Sequence, residues 1–187
     1  GTTANYWDWR EGWFLKEHEL PEGWLYEKEK YKATNPGGNE MINIKPHVDE
    51  LGASPVYLFN MLTSDFHYQL ASSYRAHQIN LPVKYVELGN EFYLNEAHHR
   101  NKFPNASDYA LACNDWTSQL KAISPFADVK VAVIGCDEGD DSPGRRRLWL
   151  ERVLANLDPQ AQIDAITIHQ YYGNGLGSQP FSGSNAN

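Results

Sequence analysis

Cysteine, methionine and long apolar runs are all scarce in this chain. Two cysteines among 187 residues cannot make a disulfide-stapled scaffold, and Cys113 and Cys136 fit one disulfide or two buried thiols equally well. No apolar run approaches the roughly 20 residues of a membrane span, so no membrane span is expected. Basic residues are outnumbered, with 16 Lys and Arg against 24 Asp and Glu for a net charge of −8. No basic stripe with interleaved aromatics offsets that balance, which argues against nucleic acid as a partner.

What remains is ample for one globular core: 41% of the residues are hydrophobic and 13% aromatic. Six Trp and eleven Tyr are many for this length. Most are expected in packing, although exposed aromatic faces also suit sugar rings. The chain opens at Gly1 and ends in "GNGLGSQPFSGSNAN", a polar stretch that closes no element. Residues 1–187 are therefore expected to be a piece of a longer polypeptide, one partial domain without internal linker or repeat, with any signal peptide out of view. Asn105-Ala106-Ser107 is a glycosylation sequon and tilts the expectation toward a secreted or extracellular protein.

Four short apolar runs rich in strand-forming residues stand out: Pro55 to Leu62, Val83 to Leu88, Val129 to Gly135 and Ile163 to His169. Helical spacing fills the gaps. Ser64 is the expected N-cap of a helix to Gln78 with Phe66, Leu70, Tyr74 and His77 on one face. Ser107 would cap a second, carrying Tyr109, Cys113, Trp116, Leu120 and Ile123. Ser142 and Pro143 would start a third, ending near Leu157 with Leu150, Val153, Leu154 and Leu157 inward. Asn43 to Leu51 reads as a short helix stopped by Gly52. Such alternation predicts an α/β fold with a parallel sheet and right-handed crossovers, either doubly wound or part of a barrel. A full (β/α)8 barrel needs about 250 residues, so this chain holds roughly half of one.

In parallel α/β folds the chemistry sits where strands end. "KYVELGNEFY" starts as a buried strand and breaks at Gly89 into Asn90 and Glu91. Asn60 ends the preceding strand, and His169, Tyr171 and Tyr172 end the last one. Alternation places Glu87, Gly89 and Glu91 on one face unless a bulge re-aims them. A carboxylate, amides, an imidazole and phenols on one mouth suit a hydroxyl-rich ligand.

These residues resemble a family. "VELGNEFY" is similar to the Asn-Glu motif ending the fourth strand of retaining (β/α)8 glycoside hydrolases with two catalytic glutamates. "ITIHQYY" resembles their sixth strand, and "LGASPVYLFN" resembles the third strand of heparanase-like β-glucuronidases and α-L-arabinofuranosidases. "GTTANYWDWREG" is similar to the segment after their second strand. The resemblance runs from the end of strand two to just past strand six of such a barrel. It implies Glu91 as acid/base and Asn90 as the contact to the sugar 2-hydroxyl. It further implies His169, Tyr171, Asn60, Trp7 and Trp9 around the sugar, with Tyr171 donating to a nucleophilic Glu at the end of strand seven. That strand is not in this sequence. Glu87, Glu96 and Glu138 reach the mouth, but none occupies the matching position. Partners implied are an oligo- or polysaccharide and the rest of the barrel, namely strands 1, 7 and 8, with neither cofactor nor metal required.

Other motifs weigh less. "CDEGDD", Cys136 to Asp141, matches no EF-hand spacing and reads as a solvated acidic loop, with a metal-dependent hydrolase as an outside alternative. His98 and His99 match no zinc spacing and read as loop surface. "GNGLG" lacks the following helix of a phosphate cradle. Arg145, Arg146 and Arg147 would open a helix at the wrong end for its dipole, and Arg10, Arg100 and Lys102 are the cations near the mouth for an acidic sugar. The second functional class is a non-catalytic carbohydrate-binding or structural protein on a degenerate glycosidase barrel.

Overall fold

The computed structural model describes residues 2–10, 12–14, 30, 33–34, 40–136 and 144–169. Tyr171, Tyr172, Ser142, Pro143, the acidic stretch 137–141 and the "GNGLG" segment lie outside the described residues. A 3-10 turn over Thr2–Tyr6 leads into a short antiparallel pair, β1 (Trp7–Asp8) with β2 (Trp13–Phe14). There follow α1 (Lys45–Leu51), β3 (Val56–Phe59), α2 (Phe66–Gln78), β4 (Tyr85–Leu88), α3 (Ala97–Lys102), α4 (Ala106–Lys121), β5 (Lys130–Ile134), α5 (Trp149–Asn156) and β6 (Ala165–Thr167).

Strands β3 to β6 form one parallel sheet in sequential order. Right-handed crossovers in an unreversed order place the crossover helices on the same side of a sheet. The burial pattern agrees. Val86, Leu88, Val131 and Val133 are buried in one cluster with Tyr109, Cys113, Trp149 and Val153. The alternate residues Tyr85, Lys130 and Ala165 are exposed, and Glu87, Ala132 and Thr167 are only half-buried. A doubly wound sheet reverses its order at a switch point, and no such reversal occurs among the described residues.

The helices differ in detail from their sequence patterns. Helix α2 is capped by Asp65, whose carboxylate accepts from Tyr68 N, rather than by Ser64, whose hydroxyl instead accepts from Gln69 Nε2. Its buried residues are Phe66, Gln69, Ser72, Ser73 and Ala76, while Tyr74 and His77 are exposed and edge-on to Phe126. Apart from Phe66 its buried face is made of small or hydrogen-bonded side chains. Asn105, not Ser107, caps α4, accepting from the backbone N–H groups of Ser107 and Asp108. The helix expected from Asn43 to Leu51 splits into a 3-10 turn, Met41–Ile44, and α1, which Gly52 ends at φ 59° as expected.

Helix α5 is the main departure. It begins at Trp149 behind a left-handed Leu148, so Arg145, Arg146 and Arg147 precede the helix instead of opening it. Trp149 rather than Leu154 is the inward anchor: its indole N–H donates to Ile134 O at 3.2 Å and its ring stacks on Tyr109, while Leu154 is exposed. Cys113 and Cys136 are buried thiols that are not joined in a disulfide.

Tyr109 ties helix to sheet. Its hydroxyl donates to Leu88 O at 2.7 Å and accepts from Ile134 N at 2.9 Å, bridging the ends of β4 and β5. Burial pushes this hydroxyl well above its ordinary range, so it stays a donor. Tyr109→Phe leaves a buried carbonyl and a buried N–H unpaired and is expected to cost about 2–4 kcal/mol, measured by urea unfolding.

Candidate functional site

Glu91 follows β4 by three residues and is 5% exposed. Gly89 at φ 80° and Glu91 itself at φ 48° turn the backbone out of its strand, so simple alternation ends at Leu88. A left-handed carboxylate residue costs about 1 kcal/mol or more, a strain that collects at functional positions. The turn is held from several sides. Gly89 N donates to Phe59 O on β3, and Leu94 N closes back on Glu91 O. Asn5, fully buried, donates its amide to Asn90 O at 2.7 Å.

The carboxylate of Glu91 collects groups from two strand ends. Its Oε1 accepts from Tyr93 Oη at 3.2 Å and lies 3.1 Å from His169 Nδ1. The other ring nitrogen of His169 lies 3.5 Å from Glu87 Oε1, which accepts the Thr167 hydroxyl at 2.6 Å. Burial, with Glu91 beside it, pushes the Tyr93 phenol upward, so it remains a donor to the carboxylate. Asn90 is fully buried and neither atom of its side-chain amide has a partner. An amide in that state is open to a water or to a ligand group.

The other expected site residues fall differently. Asn60 spends its whole amide within the chain: Oδ1 accepts from Leu62 N and Thr63 N, and Nδ2 donates to Trp7 O and Thr63 Oγ1. It therefore shapes the rim by tying the segment around Trp7 to the end of β3. Trp9 is fixed by its indole N–H to Tyr68 O, under the Arg10 guanidinium. Trp7 and Trp9 both line a cavity of about 440 Å³ beside Met41, Ile44, Val56 and Tyr57, which does not include Glu91. Tyr171 lies outside the described residues.

His99 corrects the surface reading of the His pair. His98 is exposed, but His99 is wholly buried, edge-on to Phe92 at 5.2 Å and with Nε2 3.2 Å from Asn5 Nδ2. Burial, reinforced by Arg145 and His98, lowers its imidazole from 6.5 to about 4. The fold thus holds the neutral ring, accepting from Asn5. Between pH 6.5 and 4 the unfolded chain binds the proton that the folded one refuses, so stability is complete above about pH 6.5 and falls as pH drops toward 4. Urea unfolding should show a loss of about 1–2 kcal/mol across that window, once solvent screening is allowed for, that His99→Gln removes.

Sequence patterns also missed the arginines. Arg145 donates to the carbonyls of Phe92 and Pro104 at 2.7 Å each and to that of Phe103, clamping the loop behind Glu91 to α5. Arg146 sits 5.2 Å over the Tyr93 ring; a hydrogen bond with Cys136, and the nearness of Tyr93 and Glu91, hold it firmly protonated. A run of three arginines in sequence carries no sign of these separate tasks. No group of three metal-ligating side chains converges among the described residues, and no helix there is long and apolar enough to cross a membrane. No protein-family model matches the chain, and no curated protein or solved structure matches it either.

Proposed function

We propose that the chain is part of a retaining (β/α)8 glycoside hydrolase in which Glu91 is the acid/base. The observation that carries this reading is a buried carboxylate three residues past β4, reached by a phenol from its own loop and an imidazole just past β6. In its acid form Glu91 carries a proton, with Tyr93 donating to Oε1. That proton goes to the leaving oxygen in the first step, and the same carboxylate activates water in the second. The orphaned Asn90 amide beside it fits the contact to the sugar 2-hydroxyl that strengthens as the ring approaches an oxocarbenium ion.

The mechanism needs a second carboxylate about 5 to 5.5 Å away as nucleophile. The resemblance places that nucleophile at the end of a seventh strand, a position that Glu87 does not occupy, so we assign it, with the strands that complete the barrel, to chain outside these residues. The edges of the sheet, unpaired among the described residues, support that extension. Val56 on β3 is 61% exposed, and Ile166 and Ile168 at β6 are 38% and 49% exposed, apolar surface of the kind further strands and helices cover. Secretion is part of the same proposal. Asn105 is exposed, and a glycan on its Nδ2 leaves Oδ1 in place as the cap of α4.

The test is turnover of dinitrophenyl glycosides by the full-length protein, with mass spectrometry for a covalent glycosyl intermediate. Binding of oligosaccharide without any turnover would favour the non-catalytic carbohydrate-binding alternative.

A further inference from the structure

A carboxylate in the middle of an apolar parallel strand needs a reason, and Glu87 in "YVEL" is one. It pairs in register with Ala132 on β5, which pairs with Ala165 on β6. Its side chain nevertheless reaches β6, two strands away, where Oε1 takes the Thr167 hydroxyl at 2.6 Å. Neighbouring strands lie about 4.8 Å apart, so this contact passes over β5. The small Ala132 leaves that path open. At its far end the same oxygen faces His169 Nε2 at 3.5 Å, while Nδ1 of that ring faces Glu91 at 3.1 Å.

We propose that Glu87 is a positioning residue: it holds the Nε2–H end of His169, pinned by Thr167, and so presents Nδ1 to Glu91. The inference rests on the acid/base reading of Glu91 for its functional weight but not for its geometry. Ionised Glu87 only accepts, so its place opposite Nε2 favours a proton on that nitrogen and leaves Nδ1 to accept from Glu91 in its acid form. An imidazole anchored at one end cannot flip about its two-fold axis, and its other nitrogen keeps a constant direction. Among the described residues, the charged and titratable groups around the ring and its carboxylates are Glu87, Glu91, Tyr93, His99, Tyr109, Arg146 and Cys136. Of these, Glu87 and Glu91 lie against its nitrogens.

The experiment is two-armed and uses the full-length protein. In the first arm, long-range ¹H–¹⁵N spectra of the histidine rings should show His169 protonated at Nε2 in the wild type. Glu87→Leu and Ala132→Leu, which remove the acceptor and block its path, should both lower that population, and Glu87→Gln, whose carbonyl still accepts, should restore it. In the second arm, Glu87→Leu should lower kcat by about tenfold with KM little changed, as expected when a reacting group is misplaced, and Glu87→Gln should recover most of the loss. An unchanged His169 spectrum in both Leu variants overturns the proposal. If the spectral shifts occur in a protein that turns over no glycoside, Glu87 still positions His169 and the glycosidase reading is what fails. Should Glu87→Leu not fold, Glu87→Gln and Thr167→Val carry the test: loss of the Nε2–H signal in Thr167→Val alone supports it, and no change in either contradicts it.

Discussion

Glu91→Gln in the full-length protein is expected to lose about 10²-fold or more on ordinary glycosides while keeping most of its first-step rate on activated aryl glycosides. The two substrates differ only in what the leaving oxygen needs. A sugar alcohol is a poor anion and must be protonated as the bond breaks. A dinitrophenolate leaves unaided. Gln keeps the shape of the side chain and an oxygen that accepts from Tyr93, so the surroundings survive while the proton is gone. The second step still calls for a base to activate water. The glycosyl intermediate should therefore accumulate, seen as a burst of dinitrophenol followed by slow turnover. Equal losses on both substrates without a burst would mean that Glu91 is a nucleophile or a structural group.

Gly89→Ala should be among the most damaging single changes to the fold. A Cβ there would lie 2.1 Å from Phe92 Cε2 and 2.9 Å from Cζ, distances no real Cβ keeps. The ring cannot yield cheaply: Phe92 is fully buried, with Phe103, His99 and Tyr109 all packed against it. To this overlap is added the cost of an L side chain at φ 80°. Together these amount to about 3–5 kcal/mol, read as a fall in the urea midpoint at unchanged slope. Gly52→Ala is the internal control. Its φ of 59° is equally left-handed, but nothing lies within 4 Å of the added methyl, so only the backbone cost of about 1 kcal/mol should appear. A Gly89→Ala protein as stable as the Gly52→Ala one would show that the Phe92 ring has another place to go.

Much of this architecture is legible in the sequence because the strands announce themselves locally. "VYLF", "YVEL" and "KVAVI" are short, apolar and separated by helical spacing, and the sheet assembles them in chain order. The break at Gly89 is legible too, since a glycine, an amide and a carboxylate cannot continue a buried strand. Caps read one or two residues out of place. Asp65 and Asn105 sit beside other good caps, and only the tertiary path of the backbone chooses between neighbours. The start of α5 is obscured for another reason. Arg145 is held by three carbonyls from residues 40 or more positions earlier, interactions that no local pattern contains. His99 was misread likewise, because two adjacent histidines look alike until α3 turns one inward against Phe92 and Asn5. Asn60 shows the converse case: a polar residue at a strand end satisfies the position expected of a ligand contact, yet all its hydrogen bonds are used to build the rim.

The role of Glu91 is tested most directly by the product that Glu91→Gln forms from a dinitrophenyl glycoside in the presence of azide. Azide needs no deprotonation, so it should attack the stalled intermediate, restore turnover and give a glycosyl azide. Proton NMR of its anomeric signal should show the configuration of the starting glycoside, the mark of two successive displacements. An azide product of inverted configuration, or no azide product at all, would contradict the assignment of Glu91 as the acid/base of a retaining enzyme.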